Sequence, residues 1–387
     1  AVCGQCQEAC PATQSSKPLN PKKLIQDLRR HLLKVGDSAK NDTGMLAGKV
    51  ITEDEIWACT TCRACDEICP TYVEHIDKVI DLRRNLVLER AAIPESAEAA
   101  LRSIEARGHP WRGTTASRTD WAQGLNIKTL AEDSDIDILF WVGCTGALEE
   151  RSMKVSRSLA RILGGVNFGI LGAEESCCGE PARRLGNEYL FQMQAEKNIQ
   201  IMNSYNVKRV VTACPHCYHT LKNEYPEFGG KFEVMHHTEF IARQFKEGKL
   251  KSGPADGGSV TYHDACYLGR YNDVYQPPRQ ILNMLNMKPV EMKDNRQGSF
   301  CCGGGGGRMW LEENIGRRIS EMRIEQAGQT GAQTVATACP YCLQMFDDAI
   351  KALKAPLKVA DVAELVAGAC LPPPDQPGSF ANNGRVQ

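Results

Sequence analysis

Residues 299–307, Ser-Phe-Cys-Cys-Gly-Gly-Gly-Gly-Gly, and residues 176–179, Ser-Cys-Cys-Gly, contain adjacent cysteine pairs that mark two copies of one unit. In the first copy, gaps of 32 and 35 residues separate the pair from the next cysteine on either side, and in the second copy the gaps are 34 and 36. Each copy ends in a Cys-Pro-x-Cys motif, at residues 214–217 and 339–342. The same order of cysteines at nearly equal gaps predicts two homologous structural repeats.

The sequence around the cysteines predicts strands and helices in alternation. Apolar runs at 138–142 and 259–262 each lead into a single cysteine, and runs at 207–212 and 334–337 each lead into Ala-Cys-Pro. Strand–loop–helix alternation is typical of α/β units with parallel strands. Helical patterns follow at 148–163, 188–204, 275–286 and 311–327.

The cysteine chemistry of the repeats favours metal over disulfides. Adjacent cysteines would form a strained disulfide, whereas two neighbouring thiolates can bind neighbouring metals. Five cysteines in each repeat exceed the four ligands of a cubane cluster, so a larger or opened iron–sulfur cluster is predicted. Gly303, Gly304 and Gly305 are predicted to let backbone N–H groups reach such a cluster. His263 and Asp264 are the best candidates for a supporting pair next to Cys266.

Proline after the first cysteine of each Cys-Pro-x-Cys motif predicts that a helix begins there. The thiolates at these positions would then lie at a helix N-terminus, where we expect the dipole to lower their pKa.

Residues 59–70, Cys-Thr-Thr-Cys-Arg-Ala-Cys-Asp-Glu-Ile-Cys-Pro, form a complete bacterial ferredoxin run. In such a run three close cysteines hold one cubane, and the fourth, before proline, ligates the neighbouring cluster. A zinc site would instead need two separated cysteine pairs. The run therefore predicts a two-cluster ferredoxin domain.

A second run at residues 3–11, Cys-Gly-Gln-Cys-Gln-Glu-Ala-Cys-Pro, fits the last three cysteines of the same motif. We expect the first ligand to be a cysteine immediately before Ala1; the alternative is a three-cysteine site with a three-iron cluster or another ligand. The crossed pattern assigns one cubane to Cys3, Cys6, Cys69 and the preceding residue. It assigns the other to Cys59, Cys62, Cys65 and Cys10.

The composition excludes several classes of protein. The chain has 387 residues, 18 cysteines and a formal net charge of −1, so it offers no basic field for nucleic acid. Its length and the absence of a visible export signal argue against a secreted disulfide scaffold. No apolar run approaches the roughly 18 residues of a membrane helix. Cys370 alone lies outside the motif groups.

These patterns predict five segments along the chain. The segments are a ferredoxin domain at 1–90, a linker at 91–135, the repeats at 136–256 and 257–360, and a C-terminal tail at 361–387. The ferredoxin domain contains helical sequence at 22–35 and 76–89, and a short helix is expected in the linker.

The chain resembles the CCG cysteine-rich repeat family of heterodisulfide reductase catalytic subunits. The resemblance is closer to the iron–sulfur oxidoreductases that link electron-transfer flavoprotein to quinone. It covers residue 1 to about residue 360, and it rests on the stretches at 57–62, 74–78, 236–239, 266–270 and 300–310.

The resemblance implies a fold, a set of cofactors and their ligands. The implied fold is α+β overall, with an N-terminal α-helical ferredoxin domain followed by two homologous α/β repeats. The implied cofactors are two [4Fe–4S] cubanes and one or two noncubane [4Fe–4S] clusters. The predicted ligands in the first repeat are Cys144, Cys177, Cys178, Cys214 and Cys217. Those in the second repeat, where the resemblance implies catalysis, are Cys266, Cys301, Cys302, Cys339 and Cys342.

The resemblance also implies a role. We expect electrons to pass from a flavoprotein, either an electron-transfer flavoprotein or a dehydrogenase, to a quinone-linked or disulfide acceptor. The alternatives are a disulfide reductase and a non-catalytic relay subunit of a larger dehydrogenase complex. A cytochrome b subunit, or a membrane domain before residue 1, would place the chain at the cytoplasmic face of a membrane. The missing first ferredoxin ligand and the lack of a membrane segment depart from the family pattern.

Overall fold

Parallel strands in two small sheets form the framework of the two repeats. A computed structural model describes residues 2–37, 45–253 and 258–373, and within these ranges it has seven strands. The first sheet has the order β2-β1-β3-β4 and the second β5-β6-β7, all parallel. The strands are β1 Ile138–Trp141, β2 Phe168–Gly169, β3 Arg209–Thr212, β4 Glu233–His236, β5 Val260–Tyr262, β6 Thr334–Thr337 and β7 Lys358–Asp361.

Helices surround the sheets and make up the N-terminal region. The N-terminal helices are α1 Gln5–Ala9, α2 Pro11–Gln14, α3 Pro21–Asp37, α4 Glu53–Trp57, α5 Ala64–Glu67 and α6 Ile76–Arg84. The later helices are α7 Glu95–Arg107, α8 Gly143–Leu148, α9 Glu150–Leu163, α10 Glu180–Arg184, α11 Glu188–Ser204, α12 Pro215–His219, α13 His237–Lys246, α14 Gln276–Met284, α15 Ile319–Gly328, α16 Pro340–Leu353 and α17 Val362–Cys370. The α+β fold with a helical N-terminal domain is therefore confirmed.

The strands that precede the repeat cysteines are buried, as expected for sheets covered on both faces. All four residues of β1 and all three of β5 are buried. These apolar strands fix the position of the loops that follow their carboxyl ends, because parallel strands end at the same edge of a sheet.

The structure differs from the sequence prediction in three segments. The helix expected at 311–327 begins only at Ile319, and residues 308–310 form a short 3₁₀ turn. The segment at 91–135, expected as a linker, packs into the first repeat: Trp121 meets Phe140 at a centroid distance of 5.7 Å, and Thr129 bridges to Ile170. The segment from 361, expected as a tail, contains α17 and extends the second repeat.

The last helix of each repeat packs on the other repeat. Helix α13 contacts α14 of the second repeat, and α17 contacts α9 of the first. Arg151 on α9 donates to both carboxylate oxygens of Glu364 on α17, at 2.7 and 2.8 Å. Capping boxes start α13 at His236 and α17 at Asp361, directly after β4 and β7. The two repeats thus pack together in a reciprocal way, because the final helix of each repeat contacts a helix of the other.

The ferredoxin domain is fixed to both repeats by Arg83 on α6, which is fully buried. Its guanidinium donates to the carbonyls of Ile56 and Cys59 in its own domain. It also donates to the carbonyls of Arg184 of the first repeat and Gly306 of the second, at 2.8 and 2.7 Å. In the described ranges, no helix is both long and apolar enough to cross a bilayer.

Candidate metal centres

The carboxyl ends of the first sheet bring five cysteines together, a group we call the first repeat site: Cys144, Cys177, Cys178, Cys214 and Cys217. Cys144 follows β1 and Cys214 follows β3, while the adjacent pair lies just before α10. Their thiols form a chain of contacts in the order 144–177–178–217–214. All five are buried and none is in a disulfide.

The second repeat site repeats this arrangement with Cys266, Cys301, Cys302, Cys339 and Cys342. The thiol contacts run 266–301–302–342–339, and all five residues are buried. Cys302 is at the middle of the chain of contacts. The same order in both repeats shows that one local fold produces each site.

Of the expected supporting pair, only His263 lies among the cysteines. A ring nitrogen of His263 and the sulfurs of Cys302 and Cys342 lie within 4.8 Å of one another. Arg323 donates to the Nδ1 atom of His263 at 3.1 Å. Asp264 instead forms a bidentate ion pair with Arg279, at 2.7 and 2.8 Å.

Four cysteines line an apolar cavity in the ferredoxin domain, which we call the inner ferredoxin site: Cys10, Cys59, Cys62 and Cys65. The cavity has an empty volume of about 400 Å³. The cysteine before Pro11 thus joins the three close cysteines of the other run, as the crossed pattern predicts. The ligand assignment itself stays a prediction.

Cys3, Cys6 and Cys69 line a second cavity, the outer ferredoxin site, whose empty space including open solvent is about 430 Å³. Cys3 is exposed and the other two are partly buried, in contrast to the buried cysteines of the other three sites. His75 lines both ferredoxin cavities, and its Nδ1 atom lies 3.0 Å from the carboxylate of Asp66. The residue expected before Ala1 lies outside the described chain.

The donor set fits iron–sulfur clusters. Burial raises the pKa of Cys10 to about 11 and that of Cys59 to about 12. Thiolates are the form that binds metal, so loading these sites must displace protons. Backbone N–H groups donate to ligand sulfurs, from Thr61 to Cys59 at 3.3 Å and from Gly303 to Cys301 at 3.2 Å. Such contacts are typical of protein-bound clusters, whose sulfurs accept hydrogen bonds.

At the Cys-Pro-x-Cys helices, where the helix dipole is expected to lower the thiol pKa, the pKa of Cys339 is lowered mainly by neighbouring side chains. Burial alone would raise its pKa, but hydrogen bonds from Cys342 and His216 lower it to about 5. The pKa of Cys217 is raised instead, through its hydrogen bonds with Cys178 and Cys214. The pKa of Cys342 is also raised, by burial and by its hydrogen bond with Cys302. The lowered pKa expected from the helix terminus is therefore wrong for Cys217 and Cys342.

The glycine run after Cys302 has two roles. Gly303 and Gly304 provide backbone N–H groups to the sulfurs of Cys301 and Cys302, and their binding to a cluster stays a prediction. Gly305 and Gly306 instead let the ferredoxin loop approach, because a Cβ atom would lie 2.7 Å from the Thr60 carbonyl oxygen and 2.8 Å from that of Cys59. The run therefore joins the second repeat to the inner ferredoxin site.

Sequence patterns alone missed the residues between the two repeat sites. His216 is buried there, and its Nδ1 atom lies 2.9 Å from the carboxylate of Glu180. Burial lowers the pKa of His216, but Glu180 and Cys339 together raise it well above its ordinary value. The signal that could have found it is positional, because His216 and Tyr341 occupy the same place in the two Cys-Pro-x-Cys motifs.

Comparison with known families agrees with this organisation. The cysteine-rich CCG domain matches residues 138–222 and 260–347. The 4Fe-4S dicluster domain matches residues 1–73. The expected iron–sulfur cofactors are thereby confirmed as a class, with a dicluster ferredoxin domain and two cysteine-rich repeats.

Several proteins resemble the chain over most of its length. The probable iron-sulfur-binding oxidoreductase FadF of Bacillus subtilis is 42% identical over 95% of this chain and 59% of its own length. The EtfAB:quinone oxidoreductase of Syntrophomonas wolfei is 40% identical over 94% of this chain and 57% of its own length. The chain thus spans less than two thirds of these two relatives.

A third relative matches over nearly its whole length. It is a subunit of the dihydromethanophenazine:CoB–CoM heterodisulfide reductase of Methanosarcina barkeri, 30% identical over 95% of this chain and 92% of its own length. The match spans the ferredoxin domain and both repeats of this chain. The chain belongs to the CCG-domain family of iron–sulfur oxidoreductases that includes this heterodisulfide reductase component.

Proposed function

We propose that the chain relays single electrons between its four sites, in the order outer ferredoxin, inner ferredoxin, second repeat, first repeat. When bound, iron–sulfur clusters at these sites supply centres that accept and release one electron at a time. The protein holds the sites in a row and buries the cysteines of all but the first.

The contact between Cys62 and Cys301 carries this proposal. Cys62 belongs to the inner ferredoxin site and Cys301 to the second repeat site, and their thiols are within hydrogen-bond contact. Arg270 of the second repeat secures the contact by donating from Nε to the Cys62 carbonyl at 2.7 Å. Cys62, Cys266, Phe300 and Cys301 share one small buried cluster. The two domains therefore meet through their sites.

The outer ferredoxin site is where a redox partner would dock. Cys3 is exposed, and the apolar side chains of Ile68 and Tyr72, next to Cys69, are 46% and 87% exposed. A flavoprotein is the donor that we propose, with electron-transfer flavoprotein first because of the relative named for it. We further propose that a membrane cytochrome b partner connects the relay to quinone at the cytoplasmic face of the membrane.

Disulfide reduction at the second repeat site is the alternative function, favoured by the nearly full-length match to a heterodisulfide reductase subunit. The cysteines of both repeat sites are at most 7% exposed. Buried rings of His216, Tyr267 and Tyr341 occupy the space between them. A disulfide substrate would have to displace these rings to reach a sulfur, so the packing favours a relay.

Cys65→Ala tests the order of the sites. Cys65 belongs to the inner ferredoxin site, in which Cys62 is the cysteine that contacts Cys301. We expect photoreduced electron-transfer flavoprotein to reduce the outer site of the variant and to leave both repeat sites oxidised on the time scale of wild-type transfer. Freeze-quench Mössbauer and electron paramagnetic resonance spectra of the iron-loaded chain would follow each site.

Cys370→Ala is the matched control, because Cys370 lies on α17 outside all four sites. It should transfer electrons like the wild type. Reduction of the repeat sites in Cys65→Ala at the wild-type rate would contradict the proposed order. Turnover of an added organic disulfide by the wild type would favour the reductase alternative.

A further inference from the structure

The third residue of each Cys-Pro-x-Cys motif, His216 or Tyr341, lies at the interface between the two repeats. His216, between Pro215 and Cys217 of the first repeat site, hydrogen-bonds Cys339 of the second. Tyr341, between Pro340 and Cys342, interacts electrostatically with cysteines of the first repeat site. His216 thus reaches a cysteine of the other repeat, and Tyr341 reaches the first repeat through its contact with the His216 ring.

The two rings are in direct contact. The centroids of His216 and Tyr341 are 4.4 Å apart, with an interplanar angle of 37°. The ring of Tyr267 also stacks on His216, at 4.0 Å and 27°. All three side chains are at most 3% exposed, so the rings pack beside the cysteines within the protein interior.

Polar contacts hold these rings in place. Glu180 holds the Nδ1 atom of His216, and Arg184 donates from Nε to the Tyr267 hydroxyl at 2.9 Å. Thr61 of the ferredoxin domain also hydrogen-bonds that hydroxyl at 2.9 Å. Buried, hydrogen-bonded groups of this kind keep one geometry, and packed contacts of this kind can carry coupling between sites.

We propose that His216 and Tyr341 are positioning residues that couple the first and second repeat sites electronically, so that single electrons pass between the two sites through their contact. This inference rests on the proposed relay. In the transfer, one electron leaves the second repeat site as one arrives at the first. No covalent bond forms or breaks, and no co-reactant is consumed.

Tyr341→Leu and Tyr341→Phe form the matched pair that tests the proposal. Leucine removes the ring, whereas phenylalanine keeps the ring and loses only the hydroxyl. We expect electron arrival at the first repeat site to be slower by about tenfold in Tyr341→Leu, equivalent to about 1.4 kcal/mol in the barrier, and close to wild type in Tyr341→Phe. We also expect the magnetic interaction between the two reduced repeat sites to weaken only in Tyr341→Leu.

Iron content and circular dichroism would show whether the variants load and fold. Should Tyr341→Leu lose iron, His216→Gln decides, because glutamine can still donate to Glu180 but has no ring; it should slow the same step. Wild-type transfer rate and magnetic interaction in the loaded ring-deleting variant would overturn the coupling. If the first repeat site of the wild type were reduced before the second, the relay order would be overturned instead. The failure of the coupling and the failure of the relay order are therefore distinguishable.

Discussion

Cys302→Ala should remove the iron of the second repeat site and stop electron transfer to the first. Cys302 is the middle member of its chain of thiol contacts, so its loss separates Cys266 and Cys301 from Cys339 and Cys342. Neither remaining pair supplies the four thiolates that a cubane needs. We therefore expect the cluster to be lost and not converted into a cubane. The sequence alone does not decide between these two outcomes.

The ferredoxin signals should persist in Cys302→Ala, because the cysteines of those two sites are unchanged. Iron analysis should fall by about four irons from a full complement of about sixteen. Mössbauer spectroscopy and flavoprotein-driven reduction would follow the two expected losses. The Cys370→Ala control should keep its full iron content. Native spectra and full electron transfer in Cys302→Ala would show that the five-cysteine assignment is wrong.

Arg83→Met should destabilise the junction of the ferredoxin domain with both repeats. The variant leaves the carbonyls of Ile56, Cys59, Arg184 and Gly306 without their buried donor. Each buried acceptor that loses its partner costs about 1–3 kcal/mol, so the four together are expected to cost at least about 4 kcal/mol. This is a large share of the roughly 5–15 kcal/mol that stabilises a typical domain. Burial lowers the pKa of Arg83 to about 10, so the side chain is still charged at neutral pH.

The measurement is the denaturant midpoint of the anaerobic, iron-loaded protein, followed by tryptophan fluorescence and by visible absorbance of the clusters. Trp57 reports on the site, because the Arg83 guanidinium lies 5.1 Å from its ring centroid. Arg102→Met is the control, since the Arg102 side chain is 75% exposed and its ion pair with Glu98 is on the surface. Equal midpoints for the two variants would show that Arg83 does not hold the domains together.

The local features of the chain could be predicted from the sequence. Four of the strands, and the helices at 22–35 and 188–204, lie close to their predicted positions. The reason is that apolar periodicity and proline position act over a few residues. Cysteine spacing likewise predicts which cysteines gather at each site, because the ferredoxin motifs are short and the strand ends of each repeat position its Cys-Pro-x-Cys motif.

The missed strands and helices carry weak local signals. Strands β4 and β7 have four residues each, with exposed first positions, and α17 follows β7 in a segment of small apolar residues. Packing on neighbouring strands and helices, which for α17 includes α9 of the first repeat, stabilises these elements rather than propensity. Tertiary contacts routinely override local propensity in this way.

The kind of group that each site binds follows from cysteine spacing, whereas the contacts between sites depend on the folded chain. No spacing rule relates Cys62 to Cys301 or His216 to Cys339, because the contacting residues are far apart in the chain and belong to different units. Their contacts depend on how α13 and α17 each pack on the other repeat, and on how Arg83 and the glycine run fix the ferredoxin domain. Such long-range contacts form only when whole buried surfaces fit together, and that fit is a property of the folded chain rather than of any one motif.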